Sequence, residues 1–315
     1  MSLSSAAIKA RAVELGFDLC GVAPAADLPE LNAFERWLSR GYAGEMGYLQ
    51  RSAHERADVR HILPSARTVI VTGTIYNTSA PYSTASADPD VAHIARYAWG
   101  DDYHDVLRGR INALLAWMRE HSDVAFDACA HVDTGPVQER VYARHAGLGW
   151  IGKNTCIIHP QFGSWLFLSE IVCSLSLDVD EPALDQCGTC TLCIDACPTA
   201  AIVAPGELDA TRCISYFTIE KRGAIPEEFA ASIGAHVYGC DVCQEVCPWN
   251  QVAPVSDDPA WQPREAWAGA RVSALSTLSD DALRVAMRGS AMKRTKVAGL
   301  RRNLLVAQAN LDRRA

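Results

Sequence analysis

Along the first part of the chain the apolar positions change their period again and again. Helical spacing at residues 5–15 gives way to a short strand pattern at 18–23, returns at 31–40, and is followed by a second strand at 68–74. The longest helical pattern covers 103–121, where Val106, Leu107, Ile111, Leu114, Leu115 and Met118 fall on one face. A strand at 124–132, a helix at 136–145 with proline in its first turn, and strands at 156–159 and 165–174 complete the series. Helices that alternate with short apolar strands predict an α/β core. Residues 77–90, rich in Ser, Ala, Pro and Asp, break the pattern and predict a long mobile loop.

Near residue 178 the pattern changes to one ruled by cysteine. Cys187, Cys190, Cys193 and Cys197 are followed directly by Pro198, and a second run, Cys240, Cys243 and Cys247, ends on Pro248. The first run has the bacterial ferredoxin spacing, in which three thiolates hold one 4Fe–4S cube and the fourth reaches to another. The second run is one thiolate short, and Cys213 between the runs supplies it. Cluster one is therefore assigned to Cys187, Cys190, Cys193 and Cys247, and cluster two to Cys197, Cys213, Cys240 and Cys243. Paired Cys-x2-Cys hooks also build zinc sites. A run of four with a trailing proline suits iron–sulfur better than two hooks of two, and a disulfide framework less than either. Cys20, Cys129, Cys156 and Cys173 lie among apolar residues and read as small core side chains.

Composition sets the outer limits. The 315 residues are 49% hydrophobic and 21% charged, enough for one large core and a smaller module. No apolar stretch approaches the roughly 20 residues of a spanning helix. The first residues lack a charged start followed by an apolar run, so the expected setting is reducing cytoplasm, where thiols stay free for metal. No G-x-G-x-x-G follows a strand, which leaves a nicotinamide or flavin Rossmann site unsupported, and there is no P-loop. The net charge of −8 is uneven. From Met287 onward eight basic residues face Asp312 alone, giving +7 there and −15 elsewhere. Such a segment can track phosphates or can simply be a solvated helix face. The expected division is 1–177 for a catalytic domain, 178–254 for the iron–sulfur domain and 255–315 for a helical, basic C-terminal segment. A carrier needs only the cluster module, so the residues before it are expected to hold the electron acceptor.

Several long motifs together resemble the epoxyqueuosine reductase family. They are His131-Val-Asp-Thr-Gly-Pro-Val-Gln-Glu-Arg140, Ala146-Gly-Leu-Gly-Trp-Ile-Gly-Lys-Asn-Thr155, Phe162-Gly-Ser-Trp165, Ala95-Arg-Tyr-Ala-Trp-Gly-Asp-Asp-Tyr-His104, Arg212-Cys-Ile-Ser-Tyr-Phe-Thr-Ile-Glu220 and Arg301-Arg-Asn303. The resemblance implies an α+β fold: a nitroreductase-like α/β core that binds cobalamin, as in reductive dehalogenases, a ferredoxin-like module with two 4Fe–4S clusters, and a short helical C-terminal segment. It implies reduction of epoxyqueuosine to queuosine at the wobble position of a tRNA anticodon, with electrons passing from an external low-potential donor through the clusters to base-off cobalamin. A cytoplasmic monomer is expected.

The proton donor that the resemblance implies is Asp133, whose departing oxygen partner is a poor leaving group without a proton. By residue type alone an Asp before Thr-Gly-Pro is a turn former or helix cap. Burial against the corrin is expected to raise its pKa and keep it protonated. Carried over in the same way, cobalamin contacts fall to Arg56, Tyr97, Asp133, Lys153, Ile157, Leu168, Ser215, Cys240 and Asp241. Of these, Ile157 and Leu168 read otherwise as plain strand core. Lys221 and Arg222 match an anticodon-contacting loop, and Lys293, Arg294 and Lys296 of the basic segment are expected to bind RNA. Members of the family often continue into HEAT-like repeats, which would leave more of that contact to this segment. Asp102-Tyr-His104 opens like the D-x-H-x-x-G box of cobalt-ligating histidines, but Leu107 stands where glycine is needed. His104 therefore reads as a structural or pocket-lining residue. Trp150, Trp165 and Trp249 read as core. The alternatives left open are another cobalamin-dependent reductase of the dehalogenase kind, and an electron-transfer protein with no substrate of its own.

Overall fold

A computed structural model describes residues 3–313. Its centre is a four-stranded sheet in the order Leu19–Pro24, Thr68–Ile75, Leu166–Cys173, Ala128–His131, antiparallel throughout. The alternation of helix and strand thus builds an α+β layer and not a parallel, doubly wound one. The strand Thr68–Ile75 is buried at every position because both faces of the sheet are covered. Ile70 points toward the helices Ser5–Glu14 and Tyr103–His121 and packs with Ile8, Leu107, Ile111, Leu114 and Met118. Val69 and Val71 point the other way, toward Val141 and Tyr142 of the helix Glu139–His145. Leu107, Ile111, Leu114 and Met118 are at most 1% exposed. Each contributes about 1.5–3 kcal/mol by leaving water.

Two predicted elements are shorter than their patterns, for identifiable reasons. The strand expected over 124–132 pairs only at Ala128–His131, because its partner ends at Cys173 opposite Ala128. The helix expected from 136 starts at Glu139, since the Gly135 and Val137 carbonyls accept hydrogen bonds from Arg56. The expected mobile loop at 77–90 is irregular but tied down. Arg96, 2% exposed, donates to the Thr78 carbonyl at 2.9 Å, the Thr78 hydroxyl at 2.7 Å and the Ala80 carbonyl at 2.9 Å. Glu245 accepts from the Ser83 and Thr84 amides and the Ser83 hydroxyl.

In the cysteine-rich part, the short helices Leu192–Asp195 and Val242–Glu245 pack against each other, each carrying the second cysteine of a Cys-x2-Cys hook. Cys213 precedes a π-helical turn, Tyr216–Glu220, a form enriched at functional sites. A third core joins distant stretches: Ala92, Ile94 and Ala98, Val237 and Tyr238, and Trp267 through Ala307. The final helix, Lys296–Asp312, is fixed there by Asn303, whose side-chain amide donates to the Thr218 and Val237 carbonyls, both at 2.8 Å. Among the described residues no helix is long and apolar enough to cross a membrane.

Candidate active site

The strand Ala128–His131 leaves the sheet through a turn in which Asp133 takes a φ of 53°. This left-handed conformation costs an L-residue roughly 1–2 kcal/mol and persists only where its surroundings enforce it. Here they do. The Asp133 amide donates to Glu139 Oε1 at 2.6 Å. Arg56 clamps the turn from outside, at 3.0 Å to the Val137 carbonyl and 3.1 Å to that of Gly135. Gly135 lies so close to His131 that a Cβ there would sit 2.6 Å from the imidazole.

The carboxylate enforced by this turn is 52% exposed and faces an imidazole. His104 Nε2 is 3.1 Å from Asp133 Oδ2, and Nδ1 is 2.7 Å from Asp102 Oδ1. Asp102 Oδ2 in turn pairs with Lys293 Nζ at 2.6 Å. Burial works against a charged His104, but the two aspartates prevail and push it up to about 9. Burial also works to raise Asp133, and it is outweighed by the hydrogen bond and charge of His104, with Tyr103 and Arg140 adding to them. The carboxyl is therefore held below the usual carboxylate range. The expected rise of Asp133 rests on burial against a corrin; within the protein alone the imidazole of His104 opposes that rise. Behind the pair, Glu139 is pushed up to about 8 by burial and by the Asp133 charge. Glu170, completely buried with both carboxyl oxygens unpartnered, is held well above the ordinary range by burial, Glu139 and Asp133.

Thiol neighbours sort the eight cysteines of the two runs and Cys213 into two groups. All are free. Burial and then Cys187, Cys247 and Cys190 raise the Cys193 thiol, to about 11. Burial, with Cys213 and Cys197 near by, raises Cys240, while Cys243 lies beside Cys240 and Cys213. These are the two quartets expected from spacing. Cys156, read from the sequence as core, adjoins Cys243.

Matches to known proteins agree with this geometry. Residues 186–250 match the family model described as 4Fe-4S double cluster binding domain, and 56–134 the one described as Epoxyqueuosine reductase QueG, DUF1730. The chain is 43% identical over 314 residues to the epoxyqueuosine reductase of Gloeobacter violaceus, covering 96% of this chain and 95% of that one. The chain belongs to the epoxyqueuosine reductase family. It is 40% identical to the family member of Vibrio cholerae, over 96% of this chain and 82% of that one. A crystal structure of epoxyqueuosine reductase with an epoxyqueuosine-modified tRNA stem loop superposes with a TM-score of 0.84 at 30% identity, over 96% of this chain and 80% of that one. The Bacillus subtilis reductase, whose catalytic aspartate loop is swung out of the active site in one structure, gives 0.83 at 30% identity over the same shares. As a member of the epoxyqueuosine reductases the chain is an enzyme with a double 4Fe–4S domain, which removes the plain electron carrier.

The remaining expected contacts of the reductase lie in several places. Tyr97 donates to the Tyr238 hydroxyl at 3.2 Å and senses the charge of Asp133. Ile157 and Leu168 belong to the core on the Glu139–His145 side of the sheet. Ser215 lies against Cys213, and Asp241, buried and pushed up to about 7 by that burial, accepts from the Arg96 amide at 2.6 Å. Lys153 donates to the Gly188 and Cys190 carbonyls at 2.7 and 2.8 Å, bracing the first cysteine run. Both ring nitrogens of His104 are engaged by aspartates, at 2.7 and 3.1 Å. The expected RNA contacts share one face. Lys221 pairs with Glu45 at 2.8 Å, Arg222 donates to the Arg294 carbonyl, and Arg294 forks onto Glu220 while lying 5.4 Å over the Tyr48 ring. Lys296 is exposed. Because Lys293, Arg294 and Arg301 carry acidic partners, the +7 read from the sequence overstates the free charge. The sequence reading missed His104, Glu139 and Glu170 as neighbours of Asp133. Only the short spacing of Asp102 to His104 could have hinted at one of them.

Proposed function

We propose that this reductase converts epoxyqueuosine to queuosine at the wobble position of a tRNA anticodon, as a cytoplasmic monomer, with Asp133 delivering the proton to the epoxide oxygen. The observation that carries the reading is the strained Asp133 turn, whose half-exposed carboxyl is linked through His104 and Asp102 to Lys293 of the basic segment. Cys187, Cys190, Cys193 and Cys247 would hold one 4Fe–4S cluster and Cys197, Cys213, Cys240 and Cys243 the other, and these clusters would supply single-electron transfer from an external low-potential donor. Cobalamin, when bound, supplies the strongly reducing centre for the strained ring. Arg56, Tyr97, Lys153, Ile157, Leu168, Ser215, Cys240 and Asp241 would line its site. Around the substrate, Glu139 and Arg56 fix the Asp133 turn, and the half-exposed carboxyl meets a base splayed from its stack. The basic face holds the stem by its phosphates.

Anaerobically reconstituted protein given methylcobalamin and an epoxyqueuosine-bearing anticodon stem-loop tests this reading. Corrin absorption should co-purify with the iron–sulfur shoulder, and queuosine should form. A protein that binds no corrin, or that turns over equally well as Asp133→Ala, overturns it.

A further inference from the structure

Removing the oxygen of an epoxide as water breaks two C–O bonds, forms a C=C bond and consumes two electrons and two protons. The electrons come from the external one-electron donor. A single carboxyl can hold one proton at a time, and His104 opposes protonation of Asp133, so the second proton needs another source. One is in direct contact. His104 Nε2 lies 3.1 Å from Asp133 Oδ2, while its Nδ1 is fixed at 2.7 Å by Asp102, which Lys293 secures at 2.6 Å.

We propose that His104 is the proton store of the reaction, handing its Nε2 proton to Asp133, which passes it to the departing oxygen. The proposal rests on the reading of Asp133 as proton donor. In the first transfer the His104 proton moves to Asp133 and on to the epoxide oxygen as the first C–O bond opens, giving a hydroxyl. His104 is reprotonated from solvent, and a second proton takes the same route as the hydroxyl leaves as water. His104 acts through Asp133 and is a positioning residue. Its charge state answers to every group around it: Asp102 and Asp133 favour the imidazolium, and Tyr103 stacks on its ring at 4.1 Å. Lys293, with Asp105 and Arg108 beside it, sets the charge at the outer end. Arg140, Glu139 and Glu170 surround Asp133, as do Tyr97 and Tyr48 with Arg56 and Arg294 beyond.

The test uses the reconstituted holoenzyme and the modified stem-loop. His104→Gln keeps a side-chain N–H for Asp133 but stores no proton. Its turnover should fall about a hundredfold near neutrality, with KM for the stem-loop little changed and activity recovering toward acid pH, where Asp133 can take a proton from solvent. The wild type should hold its rate until pH approaches about 9. In a separate titration of the unloaded protein by NMR, the His104 ring should change charge near 9 and Asp133→Asn should bring that midpoint down. A His104→Gln rate with the wild-type pH profile, or a His104 midpoint unmoved by Asp133→Asn, overturns the proposal alone. An active Asp133→Asn overturns the Asp133 reading and the proposal with it.

Discussion

Seven of the eight cluster cysteines occupy two short stretches, 187–197 and 240–247, whereas the groups around Asp133 come from Arg56, the 102–104 turn, Glu139, Glu170 and Lys293. The cluster module is thus assembled mostly from local chain, with its chemistry written into spacing. The acid pocket exists only after the sheet and two helices have met. Local construction makes the first tolerant of its surroundings and intolerant of any change of ligand. Assembly from afar makes the second adjustable, since each neighbour of Asp133 shifts its charge without defining it.

The largest expected effect breaks the local side. Cys197→Ser should remove about half of the roughly eight irons per chain and abolish turnover, checked by iron analysis under strict exclusion of oxygen. Retention of full iron would mean that the second quartet is wrongly assigned. On the other side, Asp133→Ala should keep the iron–sulfur spectrum and lose on the order of 10²–10⁴ in rate. Gly135→Ala, by driving a Cβ into His131, should destabilise the turn by about 1–3 kcal/mol, read as a lower thermal midpoint.

The pH dependence of stability sharpens the contrast further. His104 is raised from 6.5 to about 9, so its contribution is full below 6.5 and lost as pH rises through 9. Glu139 is raised from 4.5 to about 8, so the unfolded chain releases its proton first and stability also declines as pH rises between those values. Thermal midpoints should therefore fall from mildly acid to alkaline pH, and Glu139→Gln should flatten the part below 8. The smallest effect belongs to the surface. Lys296→Glu, at an exposed position, should weaken stem-loop binding and reduce its salt slope by about one, with turnover of bound RNA unchanged.

How much could be read beforehand follows the same division. The helix Tyr103–His121 was legible to the residue because six apolar side chains mark one stripe and Asp102 caps it, accepting from the His104 amide. The double-cluster domain was legible from the spacing of the two cysteine runs. The direction of the strands was not, because a strand buried on both faces, such as Thr68–Ile75, carries no mark of parallel or antiparallel pairing. Nor was the setting of Asp133. It depends on His104, 29 positions away, and on carboxyls that reach it through the sheet, where His131 stands opposite Glu170.

The third core has a consequence for how the chain comes into being. Strand His93–Ile94 pairs with His236–Tyr238, and both wait for Leu300, Leu304 and Ala307 to cover them. Folding that proceeds as the ribosome delivers the chain can finish the central sheet early, but it leaves this region open until the helix Lys296–Asp312 has emerged. Truncation upstream of Asn303 should for that reason yield aggregation and not a smaller working enzyme.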